Sequence, residues 1–184
     1  PSSGRILVND HDTVENPQLV RQSLGFLSGN TGLYDRLTAE EMVRAAQLHN
    51  CQPIIRVGDD QENTILHALE TGCKAVMVPH VSTVESAKKI VEAARYAPLG
   101  KRGLSPYTRC HNYTHDGLSD SLLRHANDTL VGILVEGLDG INNLSQIAKV
   151  SGIDLIYLGM YDISQSVGFP GELEHPKVIE QLEI

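Results

Sequence analysis

The sequence predicts an α/β protein built around a parallel sheet, and three observations carry that prediction. Helix-like and strand-like textures alternate from Leu37 onward. The strand-like runs lack polar alternation, as expected of strands covered on both faces. The helical runs open on N-cap residues and close on asparagine, glycine or proline.

Taken in order, Thr38-Ala39-Glu40-Glu41 is a capping box, in which Thr38 accepts from the Glu41 amide and Glu41 reaches back to the Thr38 amide. Met42, Val43, Ala46 and His49 follow at helical spacing, the run breaks at Asn50, and Pro53 opens an apolar strand over 54–57. Ile65, Leu66 and Leu69 make the stripe of the next helix, Gly72 suits its left-handed C′ position, and 75–78 is the next strand. Ser82-Thr83-Val84-Glu85 reads as a second capping box, and Val84, Ala87, Ile90, Val91 and Ala94 carry a helical face that Pro98 ends. From Leu99 to about Thr129 the pattern lapses into Gly, Pro, Tyr and His, with one short helix around 118–125; loops this long are functional or mobile. A strand over 131–135, a helix marked by Ile141, Leu144 and Ile147, a strand over 153–158 and a helix with Pro176 at N1 complete four βα units. Before Leu37, 5–8 reads as a first strand, 17–24 as a helix and the segment near Phe26 and Leu27 as a second strand. No linker or low-complexity tract interrupts 1–184, so one domain is expected.

Composition narrows the function. The chain has 184 residues, 41% hydrophobic and 21% charged, enough apolar material for one core and unlike a disordered or collagenous chain. Fifteen Lys and Arg against 23 Asp and Glu leave a net charge of -8, which argues against nucleic acid as a partner. No stretch of about 18 apolar residues and no secretory leader is seen, so neither a membrane nor secretion is expected, and the cytoplasm is the expected location. Cys51, Cys73 and Cys110 share no C-x-x-C spacing and suit reduced thiols. No G-x-G-x-x-G follows a strand, which argues against a dinucleotide site. Cys110, His111 and His115 form a C-H-x₃-H cluster without the second cysteine pair of a zinc site, and Lys101-Arg102-Gly103 is either an anion clamp or a solvated turn.

Parallel α/β folds place their chemistry at the carboxyl ends of strands. Four side chains fall there: Arg56, His80, Glu136 and Asp162. Two carboxylates, a guanidinium and an imidazole suit a hard divalent cation, Mg²⁺ or Mn²⁺, beside an anionic substrate whose carboxylate Arg56 would pair. Each has a plainer reading. Glu136 could stand in the first turn of the following helix, Asp162 could be an N-cap, and His80 could be a hydrogen-bonded structural residue. Arg56 is harder to dismiss, because a guanidinium among Ile and Val is costly to bury unpaired.

At these residues the chain resembles the metal-dependent pyruvate aldolases of the HpcH/HpaI aldolase and citrate lyase superfamily. The resemblance runs from about residue 37 to 178. Its anchors are Ile54-Ile55-Arg56-Val57, Val78-Pro79-His80-Val81, Pro98-Leu99-Gly100-Lys101-Arg102-Gly103, Val135-Glu136, Gly159-Met160-Tyr161-Asp162-Ile163-Ser164, Gly168-Phe169-Pro170-Gly171 and His175-Pro176. It implies a TIM-type (βα)₈ barrel in which Glu136 and Asp162 hold the metal and a pyruvate-like 2-keto acid is the substrate. Arg56 would stabilise its enolate, the amides near Tyr161 and Asp162 would contact its carboxylate, and His80 would line the pocket, as in the macrophomate synthase-like branch. Aldol cleavage or oxaloacetate-type decarboxylation would follow, in a homo-oligomer.

The match departs from the family at three places. Relatives carry Asp-x-Glu-His-Gly after the second strand, where this chain has Ser28-Gly29-Asn30-Thr31-Gly32; that motivates an alternative, a weakened relative that binds a keto acid or a protein without turnover. His11 is a possible substitute base, though a solvated turn explains it as well. Leu134 replaces a common Gln and Met160 a common Pro. A complete barrel takes about 250 residues, so the barrel is expected to be incomplete, trimmed or closed by a neighbouring subunit.

Overall fold

The structure, a computed structural model, describes residues 7–8, 10–16, 18–19, 26–28, 37–119, 122 and 128–182. Strand β1 (Leu7–Val8) pairs antiparallel with β2 (His11–Asp12). Within the strand expected over 5–8, the described residues 7–8 are extended but belong to this separate hairpin and not to the main sheet, because Asp10 adopts φ +63° and the chain reverses at once. Asp12 is buried, and its carboxylate accepts from the amides of Val14 at 2.7 Å and Glu15 at 3.0 Å, a local alternative to extending the strand. Of the helix expected over 17–24 only residues 18 and 19 are described. The 29–32 segment and most of 120–127 lie outside the described residues.

The main sheet has five parallel strands in sequence order: β3 (Phe26–Ser28), β4 (Ile54–Arg56), β5 (Ala75–Val78), β6 (Leu130–Val135) and β7 (Leu155–Leu158). Their register aligns Ser28 with Arg56, Arg56 with Met77, Met77 with Gly132 and Gly132 with Leu155. A doubly wound sheet reverses its strand order at a switch point. This one does not, and its helices cover one face, so the sheet is a stretch of βα-barrel wall. The wall does not close among the described residues.

The helices are α1 (Ala39–Leu48), α2 (Glu62–Glu70), α3 (Val84–Ala94), α4 (Leu138–Ile147), α5 (Met160–Ser166) and α6 (Pro176–Glu180). The core lies between them and the outward face of the sheet: Ile55, Val76, Val78, Val131, Ile133 and Val135 meet Val43, Ile65, Leu69, Ile90 and Ile147. Because side chains alternate along a strand, Arg56, Met77, Gly132, Leu134 and Tyr157 share the inward face. Tyr157 is 58% and Leu155 46% exposed there.

The capping box of α1 forms as expected: the Thr38 amide donates to Glu41 Oε2 at 2.7 Å and the Glu41 amide to Thr38 Oγ1 at 3.3 Å. The Thr38 amide and hydroxyl hold the Glu41 carboxyl below its usual range. At α3 the expected box is replaced by a single cap one residue later, Thr83 accepting from the Ser86 amide at 3.1 Å. Gly72 takes φ +84° after α2 and Pro176 stands at N1 of α6. No described helix is long and apolar enough to cross a membrane.

The pattern-free loop is packed where it is described. The Arg102 guanidinium is buried 4.5 Å over the Tyr96 ring, so it is neither a clamp nor a solvated turn, whereas Lys101 is exposed and pairs with Glu92 at 2.5 Å. Burial pushes the Tyr96 phenol up, and its hydroxyl meets His111 Nε2 at 2.9 Å. Arg109 donates to the Thr71 carbonyl at 2.7 Å and to Gln47 Oε1 at 2.8 Å, fastening the loop to the C-terminal ends of α1 and α2. That is the end of the wall opposite the strand C-termini. His115 is exposed beside Asp116, apart from the buried Cys110 and His111.

Candidate active site

Backbone direction assembles the site. β4 ends at Arg56, β5 ends two residues before His80, β6 ends immediately before Glu136, and β7 runs into α5, which carries Asp162. Parallel strands bring all four to the same edge of the sheet.

Glu136 is the centre. It is only 8% exposed, yet its carboxylate touches two neighbours: Oε2 accepts from the His80 amide at 3.1 Å and lies 2.6 Å from His80 Nδ1, while Oε1 is 3.6 Å from the Arg56 guanidinium. The first-turn reading of Glu136 is corrected, because Gly137 is the N-cap of α4 and Glu136 precedes it. The structure also corrects the N-cap reading of Asp162. Gly159 caps α5, which puts Asp162 at its third helical position, exposed.

His80 adopts a left-handed conformation, φ +58°, and the two residues that follow it are tied to neighbouring elements. The Val81 amide donates to the Leu134 carbonyl at 3.0 Å, and the Asn143 side chain donates to the Ser82 carbonyl at 2.8 Å. Its imidazole is 73% exposed. A left-handed backbone costs a residue bearing Cβ about 1–2 kcal/mol, so His80→Gly is expected to be more stable than His80→Ala by about 1 kcal/mol. Urea midpoints of the two variants measure it, and equal midpoints would show the strain to be relieved elsewhere.

His80, Glu136 and Asp162 line one cleft of about 310 Å³ with Val81, Ser82 and Asp139. Arg56 reaches Glu136 from the inward face of the sheet, where it lines a second cavity of about 220 Å³ with Met77, Leu134 and Tyr157. The structure thus brings Arg56, His80 and Glu136 into contact and sets Asp162 on the rim. Tyr161 is 69% exposed and is not among the cleft's lining residues; His11 is not either. The Tyr161 and Asp162 amides do lie in the first turn of α5, whose first internal bond runs from the Ile163 amide to the Gly159 carbonyl at 2.9 Å, so neither has an intrahelical acceptor. Asp139, a third carboxylate on the cleft, escaped the sequence analysis; its place two residues beyond the N-cap Gly137 was the available sign.

Among the described residues no three His, Cys, Asp or Glu side chains gather as a preformed metal cluster. The donors do suit an ion that keeps much of its water. Mg²⁺ and Mn²⁺ are hard, take one or two carboxylates and fill their other positions with water and substrate oxygens. Glu136 and Asp162, which line the same cleft, are two carboxylates of that kind.

The sequence profile of the HpcH/HpaI aldolase/citrate lyase family matches residues 34–183. The chain belongs to this family. A 2-keto-3-deoxy-L-rhamnonate aldolase of Klebsiella pneumoniae subsp. pneumoniae is 36% identical over 135 residues, covering 71% of this chain and 49% of the relative. Among solved structures, an HpcH/HpaI aldolase from Desulfitobacterium hafniense DCB-2 superposes with a TM-score of 0.79 at 22% identity, over 91% of this chain and 67% of that one. Macrophomate synthase superposes with a TM-score of 0.73 at 25% identity, over 87% and 57%. The chain spans about half the length of the curated relatives it matches. The family membership agrees with the resemblance read from Arg56, His80, Glu136 and the Gly159–Ser164 segment.

Proposed function

We propose that this member of the HpcH/HpaI aldolase/citrate lyase family is a divalent-metal-dependent carbon–carbon lyase that acts on a pyruvate-like 2-keto acid. The observation that carries the reading is the buried Glu136 carboxylate, held at the strand C-termini between Arg56 and His80, with Asp162 on the same cleft. The names of relatives, 2-keto-3-deoxy-L-rhamnonate aldolase and macrophomate synthase, support it.

In this reading Glu136 and Asp162 hold Mg²⁺ or Mn²⁺, which when bound supplies Lewis-acid polarisation of the keto acid. Arg56 faces the oxygen on which negative charge develops and offers it a planar fork of donors. The first-turn amides of Tyr161 and Asp162 take the substrate carboxylate. In aldol cleavage the C4 hydroxyl gives up its proton, the C3–C4 bond breaks, and its electron pair moves onto the keto oxygen as an enolate; C3 then takes a proton. Oxaloacetate decarboxylation reaches the same enolate by losing carbon dioxide. With His80 Nδ1 2.6 Å from Glu136 and the ring 73% exposed, Nε2 is open to a ligand, a placement suited to moving a proton.

The test is proton NMR of pyruvate in D₂O with the protein and Mg²⁺ or Mn²⁺, beside a chelated control and an oxaloacetate sample. Metal-dependent loss of the methyl signal, or oxaloacetate decay above the free-metal rate, is expected. Neither effect in folded protein would overturn lyase chemistry in favour of a keto-acid binder.

A further inference from the structure

We propose that Gly159 is a positioning residue for Glu136: the missing side chain at 159 is what lets the carboxylate stand buried between Arg56 and His80. Its consequence for ion binding rests on the reading of Glu136 as a ligand, but the positional claim does not.

Three observations converge. The Gly159 amide donates to the Val135 carbonyl at 2.8 Å, which draws the β7–α5 junction against the backbone just before Glu136. A Cβ at position 159 would lie 2.6 Å from Glu136 Cγ, 3.3 Å from its Cβ and 3.5 Å from its Cα. The nearest of these atoms is part of the chain that aims the carboxylate, and that carboxylate is tied at its far end to both the amide and the ring of His80. Backbone conformation does not explain the glycine. Gly159 has φ -79° and ψ 81°, outside the left-handed region. Space does.

The chain contains its own control. Gly137 follows Glu136 in the chain, caps α4 as Gly159 caps α5, and, its chain neighbours Glu136 and Leu138 aside, has nothing within 4 Å of the Cβ it lacks. Gly→Ala at the two sites therefore shares the general cost of filling an N-cap. A collision with a residue distant in sequence belongs, of these two positions, to 159.

The experiment compares Gly159→Ala, Gly137→Ala, Glu136→Ala and the Gly159→Ala/Glu136→Ala double variant with the parent protein, by urea unfolding and by Mn²⁺ titration followed by electron paramagnetic resonance. Gly159→Ala is expected to weaken Mn²⁺ binding by about tenfold or more, the scale on which displaced ligand supports act, while Gly137→Ala leaves it unchanged. The stability lost in Gly159→Ala should shrink when Glu136 is already alanine, since the colliding Cγ is gone. If Gly159→Ala fails to fold, recovery of folding in the double variant is the supporting result. Undiminished Mn²⁺ binding together with an equal stability loss in both backgrounds would overturn the proposal. Should the parent protein bind no Mn²⁺, the ligand reading of Glu136 fails, and the stability comparison alone decides the role of Gly159.

Discussion

Glu136→Gln is expected to abolish metal-dependent exchange of the pyruvate methyl protons while leaving the protein as stable as its parent. Glutamine preserves the shape of the side chain, and its carbonyl oxygen can still accept from the His80 amide that Glu136 Oε2 engages at 3.1 Å. The rest of the amide is mismatched. Its NH₂ faces the Arg56 guanidinium, donor against donor, where a carboxylate oxygen stood 3.6 Å away. Burying a carboxylate at 8% exposure carries a desolvation cost that glutamine relieves, so the folded state loses little. Losing a ligand outright should cost more than the roughly 10–100-fold of losing a ligand's support. Calorimetric Mn²⁺ titration and urea unfolding on the same sample separate the two quantities; intact affinity with lowered stability would mark Glu136 as structural.

Arg56→Met is expected to lower turnover by about 10²–10³, the measured scale for removing one donor to a developing oxyanion. The substitution is sterically mild, because the Arg56 stem lies on the apolar inward face beside Met77, Leu134 and Tyr157. Arg56→Lys should recover only part of the loss: an ammonium is a point charge and cannot present parallel donors. The fall should appear in kcat and kcat/KM together, as for a contact made in the transition state. A rise in KM alone would make Arg56 a binding residue and remove it from the chemistry.

The fold was legible wherever a pattern had length. The four βα units after Leu37, the Thr38 cap, the Gly72 C′ position and Pro176 at N1 all rest on periodicity or cap chemistry spread over many residues. What failed was short or set by tertiary contact. β1 and β2 have two residues each, too few to show a period, and the turn expected at His11 falls at Asp10, leaving His11 already in β2. At α3 the choice between Ser82 and Thr83 as cap is one of position, and the hydrogen bond of Asn143 to the Ser82 carbonyl lies on another element. The loop around Arg102 read as solvated because its chemistry is polar; its burial depends on stacking over Tyr96. In the site, strand ends announced Arg56, His80 and Glu136. The close fit of Gly159 against Glu136 stayed hidden, because it joins residues from neighbouring strands through an atom that is missing.

The unbroken order of the sheet has a consequence for how this molecule acquires its shape. Each strand of the main sheet pairs only with those before and after it in sequence, so assembly can spread along the wall one unit at a time, each parallel pairing waiting on a crossover that must close first, which makes the process slow. The chemistry does not arrive in step with it. Arg56, His80, Glu136 and Asp162 come from four successive units, and a chain three of these units into its wall has its hydrophobic interior well begun but not the full set of the proposed reacting groups. Amides of β4, β5 and β6, flanked on both sides, should therefore resist hydrogen exchange longer than those of β7 at the edge of the described sheet. Within the described wall, the proposed site is therefore completed only when the β7–α5 unit that carries Asp162 is in place.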